Sequence, residues 1–370
     1  MSRLRILSSC IVFIFFAYSL VQAETALRYA NNFEITEHGT HRILTIRNTH
    51  QKAESTIRYA LVPKDQALPK LADNLTVIRT PVERVVVMET VYIGYLEALQ
   101  KIDTIVGAGT IDFISNSDVQ ARINAGQIRS VQIGQGLDIE RMLLLQPDLI
   151  LTSISGDPTF DVPAKLTRSG LPVVLSAGYM EAHPLARAEW IKFIAAFFEA
   201  DAQATELFDA MANRYERLKA KITPELEHPT VFAGAPYSGA WYVAGGESYM
   251  ARAIDDAGGD YLWADTPRQG AIALDTERVF LRAAQADIWL DPSHYRTRDE
   301  LFAADQRFTK FHAAKVGSVF NNTKQVSSNG GNAIWETGIV HPDKVLADLI
   351  AIFHPELMPD HTFVFYEQLK

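Results

Sequence analysis

The first patterned stretch of the chain reads as β structure. Apolar and polar residues alternate in Phe33–Thr36 and again around Ile43–Ile46, on either side of the polar turn His38–Thr40. Alternation with a period of two is typical of strands that bury one face. The pattern therefore predicts a hairpin within a small β-rich preface, residues 24–75, which ends in a polar, proline-bearing linker from Pro63 to Asn74.

From residue 76 the pattern changes to short apolar runs that alternate with helix-like stretches. The apolar runs predict buried strands at Arg84–Met88, Thr104–Gly107, Leu149–Leu151 and Pro172–Leu175. The stretches between them predict helices at Val91–Leu99, Ile139–Leu145 and Ala164–Arg168. Short strands that alternate with helices are typical of βαβ units on a parallel sheet, so residues 76–185 are predicted to form one α/β lobe.

A helical region and a second α/β lobe follow. Residues 186–222 carry an apolar stripe at helical spacing, interrupted near Asp201, and are predicted to connect the lobes. Over residues 223–370 strands and helices alternate again. The strands are predicted at Val231–Ala233, Ala286–Leu290 and Val316–Phe320, and the helices at Met250–Gly258 and Pro342–Phe353. The predicted fold is therefore α/β, with two lobes joined by helix after a β preface.

The first 23 residues have the order of a secretory signal peptide. Two arginines precede a largely apolar run, Ile6–Leu20, and the segment ends on the small residue Ala23. This run of fifteen residues is short for a membrane span. A lipoprotein signal at Leu7–Cys10 is the alternative, but Cys10 leaves little room for an apolar segment before it. We therefore expect export to the periplasm with cleavage after Ala23.

Composition narrows the classes of function. Cys10 is the only cysteine of the sequence, so a mature chain cleaved after Ala23 excludes cysteine-ligated zinc, iron–sulfur clusters and thiol catalysis. The formal net charge is −9, and an acidic chain without basic runs is a poor candidate for binding nucleic acid. At 370 residues the chain is long enough to be held by its core without disulfides.

Two segments of the chain repeat one pattern. Leu137–Leu151 and Leu274–Leu290 each open Leu-Asp-x-Glu-Arg and close on an aspartate followed by a short hydrophobic run. A carboxylate in the first turn of a helix stabilises it by roughly 0.3–1 kcal/mol. Helix stability does not explain why both halves keep the same glutamate, Glu140 and Glu277. Matched carboxylates on two lobes suit a symmetric, basic partner.

Several segments carry a resemblance to a known family. They are Arg84–Val87, Leu99–Val106, the Glu140 helix with Gln146–Leu149, the Glu277 helix with Ala286–Asp287, Pro184–Trp190 and Ile254–Asp260. Through them the chain, from roughly Thr80 to Leu357, resembles the periplasmic binding proteins of ABC importers for iron–siderophores, haem and cobalamin. The resemblance implies two Rossmann-like lobes joined by a long helix, and a metal-chelate ligand between them. It also implies one docking glutamate per lobe, Glu140 and Glu277, facing arginines of a permease dimer.

The loops after the predicted strands hold the candidate ligand-binding residues. In open α/β sheets ligands bind beyond the carboxyl ends of the strands. These loops are rich in aromatic side chains, which bury much area at little entropic cost. The candidates are Thr90, Tyr92, Phe113, Tyr179, Tyr237, Trp241, Tyr242, Arg268 and Trp335. Each aromatic candidate could instead be a ring that closes the edge of a core. Arg268 could be a solvated surface arginine.

The sequence offers little for direct metal binding or catalysis. The ten histidines are scattered, without an HExxH motif, and His183 is the one in a family-like cleft loop. Gly107 and Gly109 start a glycine motif, but Asp112 replaces its third glycine, and the sequence has no P-loop. We expect a monomeric solute-binding protein without a cofactor, whose metal arrives inside the chelate. The alternatives are a secreted α/β enzyme, hydrolase or chelatase-like, and a non-transport ligand sensor or adhesin.

Overall fold

A computed structural model describes residues 26–49, 56–72, 75–133, 136–154, 166 and 168–370. The predicted signal peptide lies outside the described residues, as does most of the predicted helix Ala164–Arg168. The helices are α1 Val91–Ala98, α2 Ser117–Asn124, α3 Ile139–Leu145, α4 Pro184–Ala195, α5 Asp201–Lys219, α6 Tyr249–Asp256, α7 Thr276–Ala283, α8 Arg298–Ala304, α9 His312–Val316, α10 Thr337–Val340 and α11 Pro342–Phe353. Strands β1 to β11 are Phe33–Glu37, Arg42–Ile46, Ile57–Pro63, Thr76–Thr80, Val85–Val87, Ile105–Ala108, Arg129–Ser130, Gln132–Ile133, Gly136–Leu137, Leu149–Ser153 and Val173–Ser176. Strands β12 to β19 are Thr230–Ala233, Pro236–Tyr237, Ala240–Ala244, Asp260–Tyr261, Ala271–Leu274, Ile288–Leu290, Val319–Asn321 and Glu367–Gln368.

The preface is one four-stranded sheet. β1 and β2 form the predicted antiparallel hairpin, in which Phe33 lies opposite Ile46. β3 adds antiparallel to β2, and β4 adds parallel to β3. The sheet therefore extends to Thr80, past the predicted boundary at residue 75, and Pro63 ends a strand where a linker was predicted. The pairing of β4 with β3 is non-local, so no local pattern in the sequence predicts it.

The preface packs against the first lobe and the connecting helices. Glu189 of α4 is fully buried and accepts the backbone N–H groups of residues 28–30 at 2.8–3.1 Å. Lys192 pairs with the same carboxylate at 2.8 Å. At the edge of the first lobe, the N–H of Leu175 donates to the hydroxyl of Tyr59 at 3.0 Å. The preface thus covers that edge of the first lobe.

The first lobe is a five-stranded parallel sheet with the spatial order β11-β10-β5-β6-β7. Numbered within the lobe and read from β7 to β11, this is the order 3-2-1-4-5 of doubly wound α/β domains. The connections change direction between β5 and β10. The carboxyl ends of these two strands therefore form the crevice in which such domains bind ligands.

The second lobe has the spatial order β15-β12-β17-β18-β19, in which β19 is antiparallel. Numbered within the lobe this is 2-1-3-4-5, and its switch point lies between β12 and β17. Val316 ends α9, so β18 begins at Val319, later than the predicted strand. A small antiparallel sheet, β13-β14-β16, joins the lobe through an aromatic core in which the rings of Trp241 and Trp289 lie 5.9 Å apart.

The connecting region is a pair of helices, where the family resemblance implied one long helix. α4 begins with Pro184, which has no N–H to satisfy, and the His183 ring accepts the N–H of Leu185 at 3.0 Å. The chain turns at Glu199, with φ of +55°, and continues as α5. The predicted interruption near Asp201 is confirmed. α5 packs against α4 and against α11 of the second lobe, so helices connect the two lobes.

Candidate functional site

A cavity of about 760 Å³ lies between the two lobes. Thr90 and Phe113 of the first lobe line one side of it. The second lobe supplies a larger and more polar wall, which includes Asp291, His294, Arg296, Asn322, Asn332 and Trp335. Asp291 and Thr90 come from the ends of β17 and β5, so the cavity opens at the switch points of both sheets. Its volume is in the usual range for a small-molecule site.

The first-lobe wall is built on the segment after β5. Glu89 accepts the hydroxyl of Thr152 at 3.1 Å and the N–H of Ser153 at 3.2 Å, so it links the ends of β5 and β10. Thr90 follows it and starts α1 at the edge of the cavity. Phe113 lies beyond the end of β6 and is 59% exposed. This wall presents a hydroxyl and an aromatic ring that a ligand could cover.

Asp291 is a candidate ligand-binding residue that the sequence reasoning missed. It follows β17 directly, and the hydroxyl of Tyr366 donates to its Oδ2 at 3.3 Å. Its Oδ1 is buried. Burial raises the pKa of the Asp291 carboxyl to about 7, against the lowering effects of hydrogen bonds from Tyr366 and Asn322. Its position in the sequence could have indicated this role, because Asp291 directly follows the buried strand that ends the second repeat.

The loop after Asp291 has an unusual backbone. Asp291 and Ser293 have φ of +52° and +60°, and such conformations cost non-glycine residues of order 1–3 kcal/mol each. Asn321 is buried, and its side-chain amide donates to the carbonyls of Ser293 and Tyr295 at 2.8 and 2.6 Å. The strained loop is thus held in place along the cavity wall.

Glu336 joins the two lobes beside the cavity. Its buried carboxylate accepts the N–H groups of Ser115 and Asn116, in the first lobe, at 2.6 and 3.1 Å. Burial raises the pKa of this carboxyl, and the two N–H groups oppose that shift. A Cβ on Gly94 of α1 would overlap the Glu336 carbonyl oxygen, so the elements touch closely. These contacts hold the neighbouring Trp335, 43% exposed, at the cavity.

Three of the predicted ligand-binding residues, Thr90, Phe113 and Trp335, line the cavity together. Tyr237 and Tyr242 lie exposed on β13 and β14 of the small sheet, away from that lining. Arg268 is exposed in the loop after β15 and is likewise not among the lining residues. The cavity therefore brings together a subset of the predicted group.

The remaining predicted residues make structural contacts. Trp241 is fully buried, and its Nε1 donates to the carbonyl of Ala233 at 3.0 Å. Tyr92 is buried in the first-lobe core. Neither ring therefore contributes to the predicted aromatic wall. Trp241 is buried because side chains alternate along β14 and this one points into the core. The hydroxyl of Tyr179 donates to the carbonyl of Thr49 at 3.1 Å and links the first lobe to the preface.

Glu140 and Glu277 both project from the first turn of their helices into solvent. Asp138 caps α3 by accepting the N–H of Arg141 at 2.9 Å. Asp275 stands at the equivalent position of α7, but its side chain accepts no capping hydrogen bond. A capping role thus accounts for Asp138. Glu140 and Glu277 are exposed, and Glu277 pairs with Arg307 at 3.4 Å.

A metal-binding group is not found among the described residues: no three His, Cys, Asp or Glu side chains gather where they could hold an ion. His183 instead caps α4, and burial lowers the pKa of its imidazole. No helix in the described ranges is long and apolar enough to cross a membrane.

Comparison with known proteins supports this architecture. The sequence model of a family described as periplasmic binding protein matches residues 85–326. An uncharacterized lipoprotein of Methanocaldococcus jannaschii is 27% identical over 315 residues, which cover 81% of this chain and 73% of that protein. A second uncharacterized lipoprotein of the same organism is 25% identical over 361 residues, 93% of this chain and 87% of that protein.

Solved structures share the fold at low sequence identity. A periplasmic heme-binding protein from Pseudomonas aeruginosa has a TM-score of 0.57 and 18% identity, covering 78% of this chain and 98% of its own. The molybdate periplasmic binding protein of a Haemophilus influenzae ABC transporter gives the same TM-score and identity, with 77% and 90% covered. A Saccharomonospora viridis protein of an ABC-type Fe3+-hydroxamate transport system has a TM-score of 0.55 and 17% identity, covering 74% and 94%.

Proposed function

Because the chain belongs to the periplasmic binding protein family, we propose that it binds a metal chelate between its two lobes and delivers it to an ABC importer. The observation that carries this proposal is the interlobe cavity, to which both sheets contribute residues at their switch points. The chelate class is an iron–siderophore, haem or a cobalamin-like molecule. Proteins of similar fold include a heme-binding protein and one of an iron–hydroxamate transport system.

The lining of the cavity favours the iron–siderophore among these. Phe113 and Trp335 offer partly exposed rings from opposite lobes, which suits a ligand with flat apolar surface. The rest of the wall is rich in amide and hydroxyl groups, among them Asn322, Asn332 and Thr323. Such groups bind a ligand whose own periphery carries carbonyls and hydroxyls, as the organic shell of a siderophore does. No protein-bound metal or cofactor is part of the proposal.

Delivery would use the exposed glutamates. Glu140 and Glu277 occupy equivalent helices of the two lobes, one per lobe, and we propose that each pairs with basic groups on one subunit of a permease dimer. The binding protein acts as a monomer, since two subunits of the permease are matched by two lobes of one chain. Export places it outside the inner membrane, and the lipoproteins among its relatives make an anchor at Cys10 the alternative to a released chain.

The first test of the proposal is a ligand screen of the mature protein, starting at residue 24. Thermal shift and tryptophan quenching are measured with ferric hydroxamates, ferric catecholates, haem, cobalamin, molybdate and free metal salts. We expect submicromolar binding of one chelate, with stabilisation that rises with its concentration. Phe113→Ala and Trp335→Ala should weaken that binding, whereas Leu68→Ser on the preface should not. A response to bare metal ions and to none of the chelates would refute the proposed ligand class.

A further inference from the structure

Two leucine side chains are largely exposed to solvent, although apolar side chains are usually buried in a folded protein. Leu281 is 85% exposed and Leu144 is 77% exposed, the two highest values for large apolar side chains among the residues that the structure describes. An isolated exposed leucine is ordinary on a protein surface. These two, however, occupy the same position of the repeated segment, seven residues after Leu137 and Leu274.

The two helices match position by position. Met142 of α3 and Val279 of α7 are both buried and anchor the helices on their lobes. In each helix the exposed leucine stands four residues after the exposed glutamate, Glu140 in α3 and Glu277 in α7. Residues four apart lie on the same side of a helix, one turn from each other. Each lobe therefore presents an acidic group and an apolar group side by side.

The two helices are also equivalent in the fold. α3 leads into β10, which pairs with β5, the first strand of its lobe. α7 leads into β17, which pairs with β12, the first strand of the other lobe. The glutamate–leucine pairs are thus repeated by the architecture of the two lobes. A partner that contacts both pairs must offer the same complementary feature twice, as a two-fold symmetric protein does.

We propose that Leu144 and Leu281 are apolar anchors of the docking surface, each entering an apolar pocket of the permease next to the basic group that binds Glu140 or Glu277. The inference rests on the proposed function and adds the apolar half of the contact. Buried apolar anchors give an interface much of its affinity, while charge pairs set its register and association rate. The exposed pair of Glu277 with Arg307, at 3.4 Å, is weak enough to be exchanged for a partner's arginine.

Site-specific photo-crosslinking tests where the leucines bind. A photo-reactive amino acid replaces Leu144 or Leu281 in the full chain, expressed in its own host, and crosslinked peptides are identified by mass spectrometry. We expect both positions to crosslink to the same peptide of one integral membrane protein, because a two-fold partner presents that peptide twice. Position Leu68, a 63% exposed leucine of the preface, is the control and should not crosslink to it. Crosslinks from 144 and 281 to unrelated proteins, or none from either, would overturn the inference.

Affinity measurements then separate this inference from the proposed function. The captured permease complex is placed in nanodiscs, and its binding to Leu144→Ser, Leu281→Ser and Leu68→Ser is compared with wild type. We expect each of the first two to weaken binding about tenfold, as is typical of a leucine that becomes buried, and the third to have no effect. If the leucine variants bind normally while Glu140→Arg and Glu277→Arg do not, the docking proposal stands and the apolar anchors are refuted. If all variants bind like wild type, both fail, and chelate binding still tests the transport role separately.

Discussion

Replacing Asp291 by asparagine should make the ligand-free protein more stable, by an amount that grows as the pH rises from about 4 to about 7. The Asp291 carboxyl has its pKa raised by burial from the ordinary value of 3.8 to about 7. Between these two pH values the native state keeps a proton that the unfolded chain has released. The native state therefore binds more protons, and the free energy of unfolding falls as the pH rises through this window. Asparagine removes the titration and leaves an amide of similar shape.

The size of the effect follows from the same two values. A rise from 3.8 to about 7, at 1.36 kcal/mol per pH unit, corresponds to about 4 kcal/mol once the carboxyl is ionised in both states. Neighbouring phenols do not obscure it. Tyr249, Tyr261 and Tyr366 interact electrostatically with this carboxyl, and burial raises the pKa of each of them. These tyrosines stay neutral across the window.

The assay is urea unfolding of ligand-free wild type and Asp291→Asn, followed by tryptophan fluorescence from pH 4 to pH 8.5. The difference in the free energy of unfolding should be small near pH 4 and grow to about 4 kcal/mol above pH 7. Asp260→Asn, an exposed carboxylate at the start of β15, is the control and should change little at any pH. Two parallel stability curves for wild type and Asp291→Asn would refute the reasoning, because they would mean that this carboxyl does not titrate with a raised pKa.

Three further predictions concern the preface, the aromatic residues and the lobe contact. Glu189→Ala should destabilise the protein by about 3–5 kcal/mol in urea unfolding, because three backbone N–H groups and a buried lysine lose their partner. A loss below about 1 kcal/mol would show that the preface is not anchored at Glu189. Trp241→Ala should lower the free energy of unfolding by about 3–5 kcal/mol, because it truncates a core side chain. Trp335→Ala should weaken chelate binding with little loss of stability. The opposite pattern would contradict the assignment of Trp241 to the core and of Trp335 to the cavity. Gly94→Val should separate the lobes at Glu336, since even a Cβ at Gly94 would overlap its carbonyl oxygen; an unchanged small-angle scattering profile and unchanged ligand affinity would contradict a tight contact.

Much of the architecture was determined by the sequence alone, because its signals are local. Alternation with a period of two predicted the hairpin of β1 and β2, and short apolar runs predicted the central strands of both lobes. The interruption of the connecting helix near Asp201 was also visible in the sequence. The repeated Leu-Asp-x-Glu-Arg pattern was enough to identify two equivalent helices and the glutamate in the first turn of each.

The tertiary structure decided which residues face the cavity. Local pattern is the same for a tryptophan that fills a core and one that lines a cleft, so Trp241 and Trp335 could be told apart only when their neighbours were known. Asp291 and Glu336 gained their roles from burial, which depends on segments that are distant in sequence. Strand β4 joined the preface through a non-local pairing. Periodicity in a sequence records which side of one element is apolar, whereas a binding site depends on which surfaces of different elements meet.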